Sequence, residues 1–578
     1  MKKIPYGIGN YGMLKEENYY FVDKTPFIEK LENSNSRYIF FLRPRRFGKS
    51  LFISMLEHYY DVNQKDKFDI LFGDTYIGKN PTKLRNSIPV LKFNFSGVPT
   101  SGSLDDTKYF FNLMVKDVVS SFYYKYHQNT GGLEVFNKEF QNIENASAVL
   151  NRFIKLMSDK KQNYYLFIDE YDNFANNILI EHGKDRYRNI THAGGFLRSF
   201  FAVIKNGTES RVIERLFVTG VSPLVLSDVT SGFNIGDNIS IRTPFNSMIG
   251  FTESEVGNLV DYYISEKAIV SEDRNKILAA MKQNYDNYSF SSDISERLYN
   301  SDMVLYFMNL YLMENKMPSD LLDENVRTDY GKLRFLLTEK DKLNGNFNIL
   351  KNILDKGEIS GELVKSFSIS ELINQEKFQS LLFYLGLITI KENIYATKYN
   401  FIIPNRIIKR LQWNFIQQAL KENYDLNVNI PFLKDEFDNL AFNGEWQKLF
   451  AYILDKFYEA VSIRDFVFHE EGIKMFLLAY LNVTPLYIVQ SEPEMHGGYA
   501  DIFLQKDFIV TEKTKYEYIV ELKYLKKSEA KQADIQKLEQ EATAQLEKYA
   551  KSKKIKEKLI KIIIITTAEK LLLMKEVK

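Results

Sequence analysis

The 578-residue sequence predicts an α/β protein in which two α/β units, one near each end, are joined by a mainly helical region. Three observations predict it. A short apolar run leads into Gly48–Ser50, a second apolar run ends in Asp169, and two apolar runs near the C-terminus carry Asp501 and Glu521. Ligand sites of α/β proteins lie at the ends of such strands. We therefore expect one functional site in each α/β unit.

The composition is that of a globular protein. Apolar residues make up 45% of the chain and charged residues 26%, and the formal net charge is +1. A charge this close to zero creates no global field for nucleic acid, so any such surface must come from local clustering. The chain has no cysteine, which excludes disulfides, thiolate zinc sites and cysteine nucleophiles, and its six histidines show no metal-ligand spacing.

The sequence predicts a cytoplasmic protein. Its first residues, MKKIPYGIGNYG, lack the apolar segment of a signal peptide. The longest apolar stretch, residues 381–390, is too short and too interrupted to span a bilayer. The absence of cysteine fits a reducing compartment.

The first candidate site is a phosphate-binding loop. Residues 38–42 predict a buried strand, residues 43–47 a polar loop, and the apolar positions from Leu51 onward follow one face of a helix. In this context Gly48 lets the backbone approach a phosphate, Lys49 reaches the β- and γ-phosphates, and the Ser50 hydroxyl ligates Mg²⁺. The sequence therefore predicts a nucleotide site.

The loop departs from the usual pattern at its start. Arg43 stands where G-x-x-x-x-G-K-[ST] has its first glycine, although every group that touches phosphate is retained. Arg45 and Arg46 leave two alternatives open: they clamp phosphate, or they form a solvated basic loop. Arg46 is among the predicted nucleotide contacts.

Two later strands are expected to complete the nucleotide site. The strand before Asp169 ends in Asp169-Glu170, so Asp169 would hold Mg²⁺ through its water shell and Glu170 would orient or deprotonate the attacking water. The strand at residues 216–218 ends in Thr219, which can sense the γ-phosphate. The alternative is that a Gly-Lys-Ser tripeptide and an Asp-Glu strand end occur together by chance.

The second candidate site is a D-x₁₉-E-x-K pattern near the C-terminus. Asp501 lies in or before a strand at 500–504, and Glu521 and Lys523, two residues apart, share one face of a strand beginning at Tyr518. Carboxylates suit a hard cation such as Mg²⁺, and Lys523 would stabilise charge on a phosphate or lower the pKa of the attacking water. The alternative is a surface salt bridge on an edge strand.

Further residues are candidates with open alternatives. Glu471, or Glu470, on a preceding helix would add a third metal ligand, or is simply solvated. Gln545 on a later helix touches the site or is exposed. The lysine-rich stretch 548–561, with Lys526–Lys527, offers a nucleic acid surface or a solvated helix face.

Four stretches carry a family resemblance. Residues 19–32 (YYFVDKTPFIEKLE), 40–52 (FFLRPRRFGKSLF), 165–176 (YLFIDEYDNFAN) and 216–224 (LFVTGVSPL) resemble the bacterial AAA-ATPase-like family that carries a C-terminal PD-(D/E)XK nuclease-like domain. The resemblance extends over most of the chain, to GFTESEV at 250–256 and YDNYSFS at 285–291. Asn287 stands where the family often has glycine.

The resemblance implies fold and chemistry. It implies a P-loop NTPase domain with an additional strand and a catalytic glutamate, which matches Glu170, and a loop whose R-P-R-R-F-G-K-S form is usual. It also implies that the segment starting at Asp23 lies near the adenine, the alternative being a plain helix start with Thr25 as N-cap. At the C-terminus it implies a helix–hairpin–strand–helix–strand nuclease core, with Ala500 replacing the usual proline.

The expected organisation has three parts: an AAA-ATPase-like P-loop domain over residues 1–245, a helical lid or bridge over 246–430, and a restriction-endonuclease-like PD-(D/E)XK domain over 431–578. The leading interpretation is an ATPase fused to a Mg²⁺-dependent nuclease for DNA or RNA, with ATP gating the nuclease. The rivals are an ATP-dependent switch whose C-terminal domain only binds a partner or nucleic acid, and a defence effector triggered by another component. Homo-oligomerisation and a protein trigger stay open.

Overall fold

The computed structural model describes every residue except 128–131, 193, 230–235, 294–295, 319, 324–325, 327–337, 340–341, 344, 373, 425, 462–469, 527 and 529. The chain divides into two compact units. Unit 1 comprises residues 1–332 and 360–405, and unit 2 comprises residues 333–359 and 406–578. The region between the two ends of the chain therefore contributes to both units.

The strands begin at Tyr38 and end at Val577. They are β1 (Tyr38–Leu42), β2 (Val90–Asn94), β3 (Tyr164–Asp169), β4 (Ile213–Gly220), β5 (Asp237–Asn238), β6 (Phe251–Thr252), β7 (Leu298–Tyr299), β8 (Thr338–Glu339), β9 (Lys342–Leu343), β10 (Glu358–Glu362), β11 (Thr389–Tyr395), β12 (Lys398–Ile402), β13 (Tyr487–Ser491), β14 (Glu494–Met495), β15 (Gly498–Tyr499), β16 (Ile502–Lys506), β17 (Tyr516–Tyr524), β18 (Lys558–Thr566) and β19 (Leu571–Val577).

The α-helices begin at Tyr11 and end at Tyr549. They are α1 (Tyr11–Glu16), α2 (Pro26–Asn33), α3 (Lys49–Tyr60), α4 (Phe68–Phe72), α5 (Tyr76–Lys79), α6 (Leu104–His127), α7 (Gly132–Phe140), α8 (Ala146–Asp159), α9 (Asn173–Thr191), α10 (Phe196–Glu209), α11 (Leu224–Val229), α12 (Glu253–Ser265), α13 (Arg274–Tyr285), α14 (Ser301–Glu314), α15 (Gly345–Lys356), α16 (Gln375–Tyr384), α17 (Arg406–Tyr424), α18 (Ile430–Asp438), α19 (Gln447–Val461), α20 (Glu470–Leu481) and α21 (Gln532–Tyr549).

Unit 1 is built on a parallel five-stranded sheet in the order β2-β3-β4-β1-β5. The core strands are apolar along almost their whole length, because helices that lie in sequence between them cover both faces of a parallel sheet. The strand β1 precedes the phosphate loop. In the sheet, β4 lies between β1 and β3, and β3 ends in Asp169. The additional-strand sheet that the sequence predicts is confirmed.

The middle of the chain is largely helical, as expected, and α12 begins with the predicted capping box. Thr252 accepts a hydrogen bond from the Glu255 N–H, and the Glu255 carboxylate accepts one from the Thr252 N–H. A small sheet in the order β10-β12-β11, in which β11 and β12 pair antiparallel, was not predicted. Its hairpin turns at Ala396, which has a φ of 45°. The long apolar stretch at 381–390 is thus the end of α16, a turn and the start of β11.

Unit 2 contains a five-stranded sheet in the order β13-β16-β17-β18-β19. Its neighbours are antiparallel except for β17 and β18, whose parallel pairing requires the crossover helix α21. A core of apolar side chains, among them Phe503, Ile519, Leu546 and Ile563, packs between this sheet and α21. The order of helix, hairpin, strand, helix and strand that the resemblance implies is confirmed, and its second helix is α21.

No helix in the described part of the chain combines the length and the apolar character needed to cross a membrane.

Candidate functional site

The phosphate loop joins β1 to α3, as the sequence predicts. Gly48 is the N-cap of α3 and has a φ of 96°, a left-handed conformation that glycine adopts without strain. Lys49 and Ser50 therefore begin the helix, where free backbone N–H groups favour an anion. They lie on the wall of a cavity of about 250 Å³, whose lining also includes Gly9, Tyr20, Val22, Lys24, Arg46, Glu170, Gly250, Ser301 and Asp302.

The loop lysine is a buried cation. The Lys49 ammonium donates to the carbonyl oxygens of Arg43, at 3.1 Å, and Pro44, at 2.9 Å. Burial lowers the pKa of Lys49, while the nearby Glu170 and Asp169 oppose that shift. A cation held in this way within a phosphate-sized cavity is suited to binding a polyphosphate.

Arg43 fills the position of the missing glycine for a structural reason. Its guanidinium is buried and lies 4.4 Å from the ring centroids of both Phe41 and Phe290. It donates to backbone carbonyls at Leu42, Ser240, Phe245 and Asn246. Burial lowers the pKa of Arg43 to about 9. Because Arg43 is not among the residues with a positive φ, this loop does not require a glycine at its first position.

Arg46 has a third placement that neither alternative described. Its backbone is left-handed, with a φ of 65°. Its guanidinium lies on the cavity wall, 3.1 Å from a carboxylate oxygen of Asp302 and 3.7 Å from one of Asp323. The arginine is thus within reach of the cavity but is bound to two carboxylates.

The strand ends meet beside the loop, as expected. Asp169 is the last residue of β3 and is buried, and Thr219 Oγ1 donates to Asp169 Oδ1 at 2.6 Å. Glu170 follows with a φ of 50° and lines the cavity. Asn173 Nδ2 donates to Glu170 Oε2 at 2.5 Å. Burial raises the pKa of Glu170, an effect that Lys49 opposes.

One acidic residue near these strands, Asp172, was not assigned a role from the sequence. Asp172 is buried and accepts hydrogen bonds from the backbone N–H groups of Val221, at 3.1 Å, and Ser222, at 2.9 Å. It therefore fixes the segment after Thr219 against the start of α9. The third acid in the run DEYD was the signal that could have identified it.

The N-terminal segment contributes Lys24 to the wall of the phosphate-loop cavity, and its predicted place near the adenine stays a prediction. Lys24 lines the cavity, and its ammonium donates to Glu255 at 2.7 and 2.8 Å. Pro26 is the first residue of α2, as predicted, and Thr25 precedes it. The Thr25 side chain does not cap the helix, because its oxygen accepts a hydrogen bond from the Ile77 N–H at 3.1 Å while its hydroxyl donates to Asp23 Oδ1 at 2.6 Å.

The D-x₁₉-E-x-K residues come together in unit 2. Asp501 immediately precedes β16, and Glu521 and Lys523 lie on one face of β17. The antiparallel pairing of Ile502 with Val520 makes Asp501 and Glu521 the next facing positions. Asp501 Oδ2 accepts a hydrogen bond from the Leu522 N–H at 2.7 Å, and Lys523 Nζ lies 2.8 Å from Glu521 Oε1.

Burial and nearby charges shift the pKa of two groups at this second site. Burial raises the pKa of Asp501, an effect that the Leu522 N–H and Lys523 oppose. Burial also raises the pKa of Tyr549, on α21, which is in electrostatic reach of Glu521, Lys523 and Asp501. Gln545 hydrogen-bonds to Tyr549, so it lies beside the site and is not a fully exposed helix residue.

The predicted third ligand is not brought to this pair. The Glu471 side chain is 78% exposed and pairs with Lys351 at 3.5 Å. Across the part of the chain that the structure describes, no three His, Asp or Glu side chains gather as a metal site. The alternative candidate Glu470 has a side chain that lies outside the described residues. The structure therefore leaves Asp501 and Glu521 as the donor pair.

The helix that was expected to supply Glu471 supplies a lysine instead. Lys474, one turn further along α20, is buried and lies 2.6 Å from Glu492 and 3.3 Å from Asp355. Burial lowers the pKa of Lys474, but the hydrogen bond to Glu492 and the nearby carboxylates together raise it above its usual value. Glu492 has a φ of 47°, and its N–H donates to the Asp501 carbonyl at 3.1 Å. Neither residue was predicted.

The lysine-rich stretch is mostly exposed. The exposed lysines of residues 548–561 are Lys548, Lys551, Lys553, Lys554, Lys556 and Lys558. Lys526 is also exposed, and Lys527 lies outside the described residues. Both interpretations of this surface, nucleic acid contact and solvation, remain compatible with exposure.

Family comparisons match two separate parts of the chain. Residues 5–230 match a family described as predicted AAA-ATPase, and residues 468–576 match a family of the PD-(D/E)XK nuclease superfamily. The recognition made from the sequence motifs is confirmed for both parts. The fold of each unit agrees with the match that falls within it.

One curated relative is an uncharacterized protein in the vnfD 5′ region of Azotobacter chroococcum mcd 1, which is 24% identical over 395 residues. The alignment covers 67% of this chain and 64% of the relative, which is less than two thirds of the relative's length.

Two solved structures show weak similarity. The Walker-type ATPase PABY2304 of Pyrococcus abyssi has a TM-score of 0.40 and 12% identity, with 68% of this chain and 96% of that chain covered. The ORC2 protein of Aeropyrum pernix, solved as ADPNP–ADP complexes, has a TM-score of 0.27 and 10% identity, with 70% and 97% covered. Both scores are too low to support a conclusion about this chain.

Proposed function

Because the chain joins an AAA-ATPase-like domain to a domain of the PD-(D/E)XK nuclease superfamily, we propose that it binds and hydrolyses ATP and carries a Mg²⁺-dependent nuclease for DNA or RNA. The observation that carries the proposal is that Lys49 and Glu170 line one cavity, while Asp169, at the end of a parallel strand, lies in electrostatic reach of Lys49. The nuclease half rests on the facing carboxylates of Asp501 and Glu521.

Each residue of the ATP site has a role that its surroundings support. Lys49 and the N–H groups at the start of α3 bind phosphate, and the Ser50 hydroxyl and Asp169 carboxylate are oxygen donors suited to Mg²⁺. Thr219 holds Asp169 in place through its 2.6 Å hydrogen bond. Glu170 orients the attacking water or accepts its proton, and its raised pKa suits a general base.

The nuclease site has a smaller donor set. Asp501 and Glu521 supply oxygen donors for a divalent cation, which when bound would polarise the scissile phosphate. Lys523, beside Glu521, stabilises negative charge that develops on the phosphate. The exposed lysines of the 548–558 stretch provide sequence-independent contacts to a nucleic acid backbone.

The proposal includes coupling between the two activities. We place ATP binding or hydrolysis upstream of nuclease activity, since one chain carries both sites. The site of action is a reducing compartment such as the cytoplasm, which the lack of cysteine favours. Self-association or a separate protein trigger is compatible with this scheme.

A second candidate function is an ATP-dependent switch whose C-terminal domain binds nucleic acid or a partner without cleaving. The specific observation in its favour is the exposed position of Glu471, which leaves Asp501 and Glu521 as the carboxylates of the site. In addition, Lys474 lies in electrostatic reach of Asp501. A cation near Asp501 reduces the need for a metal ion there.

One experiment separates the two functions. Purified protein is incubated with single- and double-stranded DNA and RNA, with Mg²⁺ or Mn²⁺, and with or without ATP, alongside Lys49→Ala and Lys523→Ala. Cleavage that is lost in Lys523→Ala, and that responds to ATP only when Lys49 is intact, is the result expected of a coupled ATPase–nuclease. ATP binding without cleavage under any of these conditions supports the switch.

A further inference from the structure

The phosphate loop is tied to α14 by a cluster of charged side chains, here called the Arg46 cluster: Arg46, Asp302 and Asp323. Arg46 Nη1 lies 3.1 Å from Asp302 Oδ2 and 3.7 Å from Asp323 Oδ2. The two residues also form a backbone hydrogen bond, in which the Asp302 N–H donates to the Arg46 carbonyl at 3.3 Å. One residue of the loop thus holds the first turn of α14 through both side chain and main chain.

The carboxylate side of the cluster is firmly anchored. Asp323 is nearly buried, and it accepts a hydrogen bond from the Tyr6 hydroxyl at 2.7 Å. The Tyr6 ring packs against Tyr306, one turn along α14, with 5.7 Å between ring centroids. Asp323 is therefore a fixed group of the fold.

The cluster shares its cavity with the phosphate-binding groups. Arg46, Asp302, Lys49 and Ser50 all line the same cavity. A polyphosphate bound there attracts the Arg46 guanidinium and repels the Asp302 carboxylate, because like charges in a partly buried site interact strongly. Phosphate and aspartate therefore compete for one arginine.

We propose that the Arg46 cluster is a latch between the phosphate loop and α14 that nucleotide binding opens. The latch rests on the proposed ATP function of this site. Arg46 exchanges its carboxylate partners for phosphate, and the first turn of α14 loses its hold on the loop. Since a ligand shifts an equilibrium only by its differential affinity for two states, the latch also lowers the affinity of the loop for ATP.

The test measures ATP affinity by calorimetry and hydrogen exchange of the α14 amides, with and without ATP. In the parent protein ATP should raise exchange in the first turn of α14. Asp302→Asn should raise that exchange without ATP and tighten ATP binding roughly three- to tenfold, the size expected for removing a partly buried ion pair. Asp261→Asn is the matched control and should change neither quantity. Asp261 lies on α12, and the change removes its exposed ion pair with Arg274.

A further variant separates the latch from simple fraying of the helix end. Arg46→Met breaks the cluster from the loop side without altering α14, so it should raise α14 exchange as Asp302→Asn does, yet weaken ATP binding. ATP binding by Asp302→Asn that is unchanged or weaker overturns the latch, as does unchanged exchange in Arg46→Met. A parent protein that binds no ATP overturns instead the ATP function on which the latch rests.

Discussion

Thr219 Oγ1 donates a hydrogen bond of 2.6 Å to Asp169 Oδ1, and both residues are buried at the ends of neighbouring strands. The hydroxyl therefore fixes the carboxylate that we assign to Mg²⁺. The contact joins two residues that the sequence identified separately, one as an acid and one as a phosphate sensor. It gives Thr219 a role in positioning Asp169.

Thr219→Val should slow ATP hydrolysis about tenfold or more, because a misplaced carboxylate loses of the order of 1–2 kcal/mol of transition-state stabilisation. Thr219→Ser keeps the donor and serves as the control. The measurement is the kcat for ATP hydrolysis together with the free energy of unfolding. Parent-like hydrolysis by the valine variant would show that this hydrogen bond does not serve catalysis.

Gly48→Ala should weaken ATP binding by about tenfold, because a φ of 96° costs a non-glycine residue about 1–2 kcal/mol of strain. Relief of that strain moves the backbone N–H groups that bind phosphate. Gly97→Ala is the control, since Gly97 has open space for a Cβ and lacks a positive φ. Calorimetry with ATP provides the measurement. Equal affinities of the two variants would contradict the prediction.

Arg43→Gly restores the usual phosphate-loop pattern and should nevertheless destabilise the protein by about 3 kcal/mol or more. The change leaves a cavity between Phe41 and Phe290 and removes the donor for several buried carbonyls. Arg37→Gly, at an exposed arginine just before β1, should cost about 1 kcal/mol or less. Urea unfolding of both variants gives the comparison. A stable Arg43→Gly protein would mean that the loop needs no side-chain anchor.

Asp501→Asn and Glu521→Gln should each reduce nucleic acid cleavage more than about 100-fold, beyond the loss expected for a residue that only orients a ligand. Glu471→Gln should cleave within about twofold of the parent, because its side chain is 78% exposed and paired with Lys351. Initial rates with Mg²⁺ test both statements. A large loss in Glu471→Gln would restore it as the third ligand.

Lys409→Met should stabilise unit 2 by about 1 kcal/mol or more at pH 7.5 and by much less at pH 10. Burial lowers the pKa of Lys409 from 10.5 to about 8, and its ammonium donates to the Val489 carbonyl at 3.3 Å. Between those pH values the unfolded chain binds more protons, so the parent gains stability as the pH rises and the variant's advantage shrinks.

Denaturant unfolding at both pH values measures this effect, with Lys421→Met as control at an exposed lysine of the same helix, α17. An advantage of Lys409→Met that grows with pH would have the opposite sign to the one expected and would reject the argument.

The sequence alone determined the local elements and the residues adjacent to them. An apolar run followed by Gly48–Ser50 predicts a strand, a loop and a helix start, because backbone geometry and side-chain periodicity act over a few residues. The same reasoning assigned the strand ending in Asp169 and the strand carrying Glu521. The strands β11 and β12 escaped it, since a turn at a non-glycine residue, Ala396, gives no local signal.

Only the tertiary structure decided which distant groups meet. The sequence presents Arg43 as a departure from the usual phosphate-loop pattern, and packing against Phe290 and backbone carbonyls makes it the anchor of the loop. The direction of the α20 face turns Glu471 to solvent and places Lys474 near Asp501. Such partners come from segments far apart in the chain, and their choice depends on how whole helices and sheets pack, which no local pattern encodes.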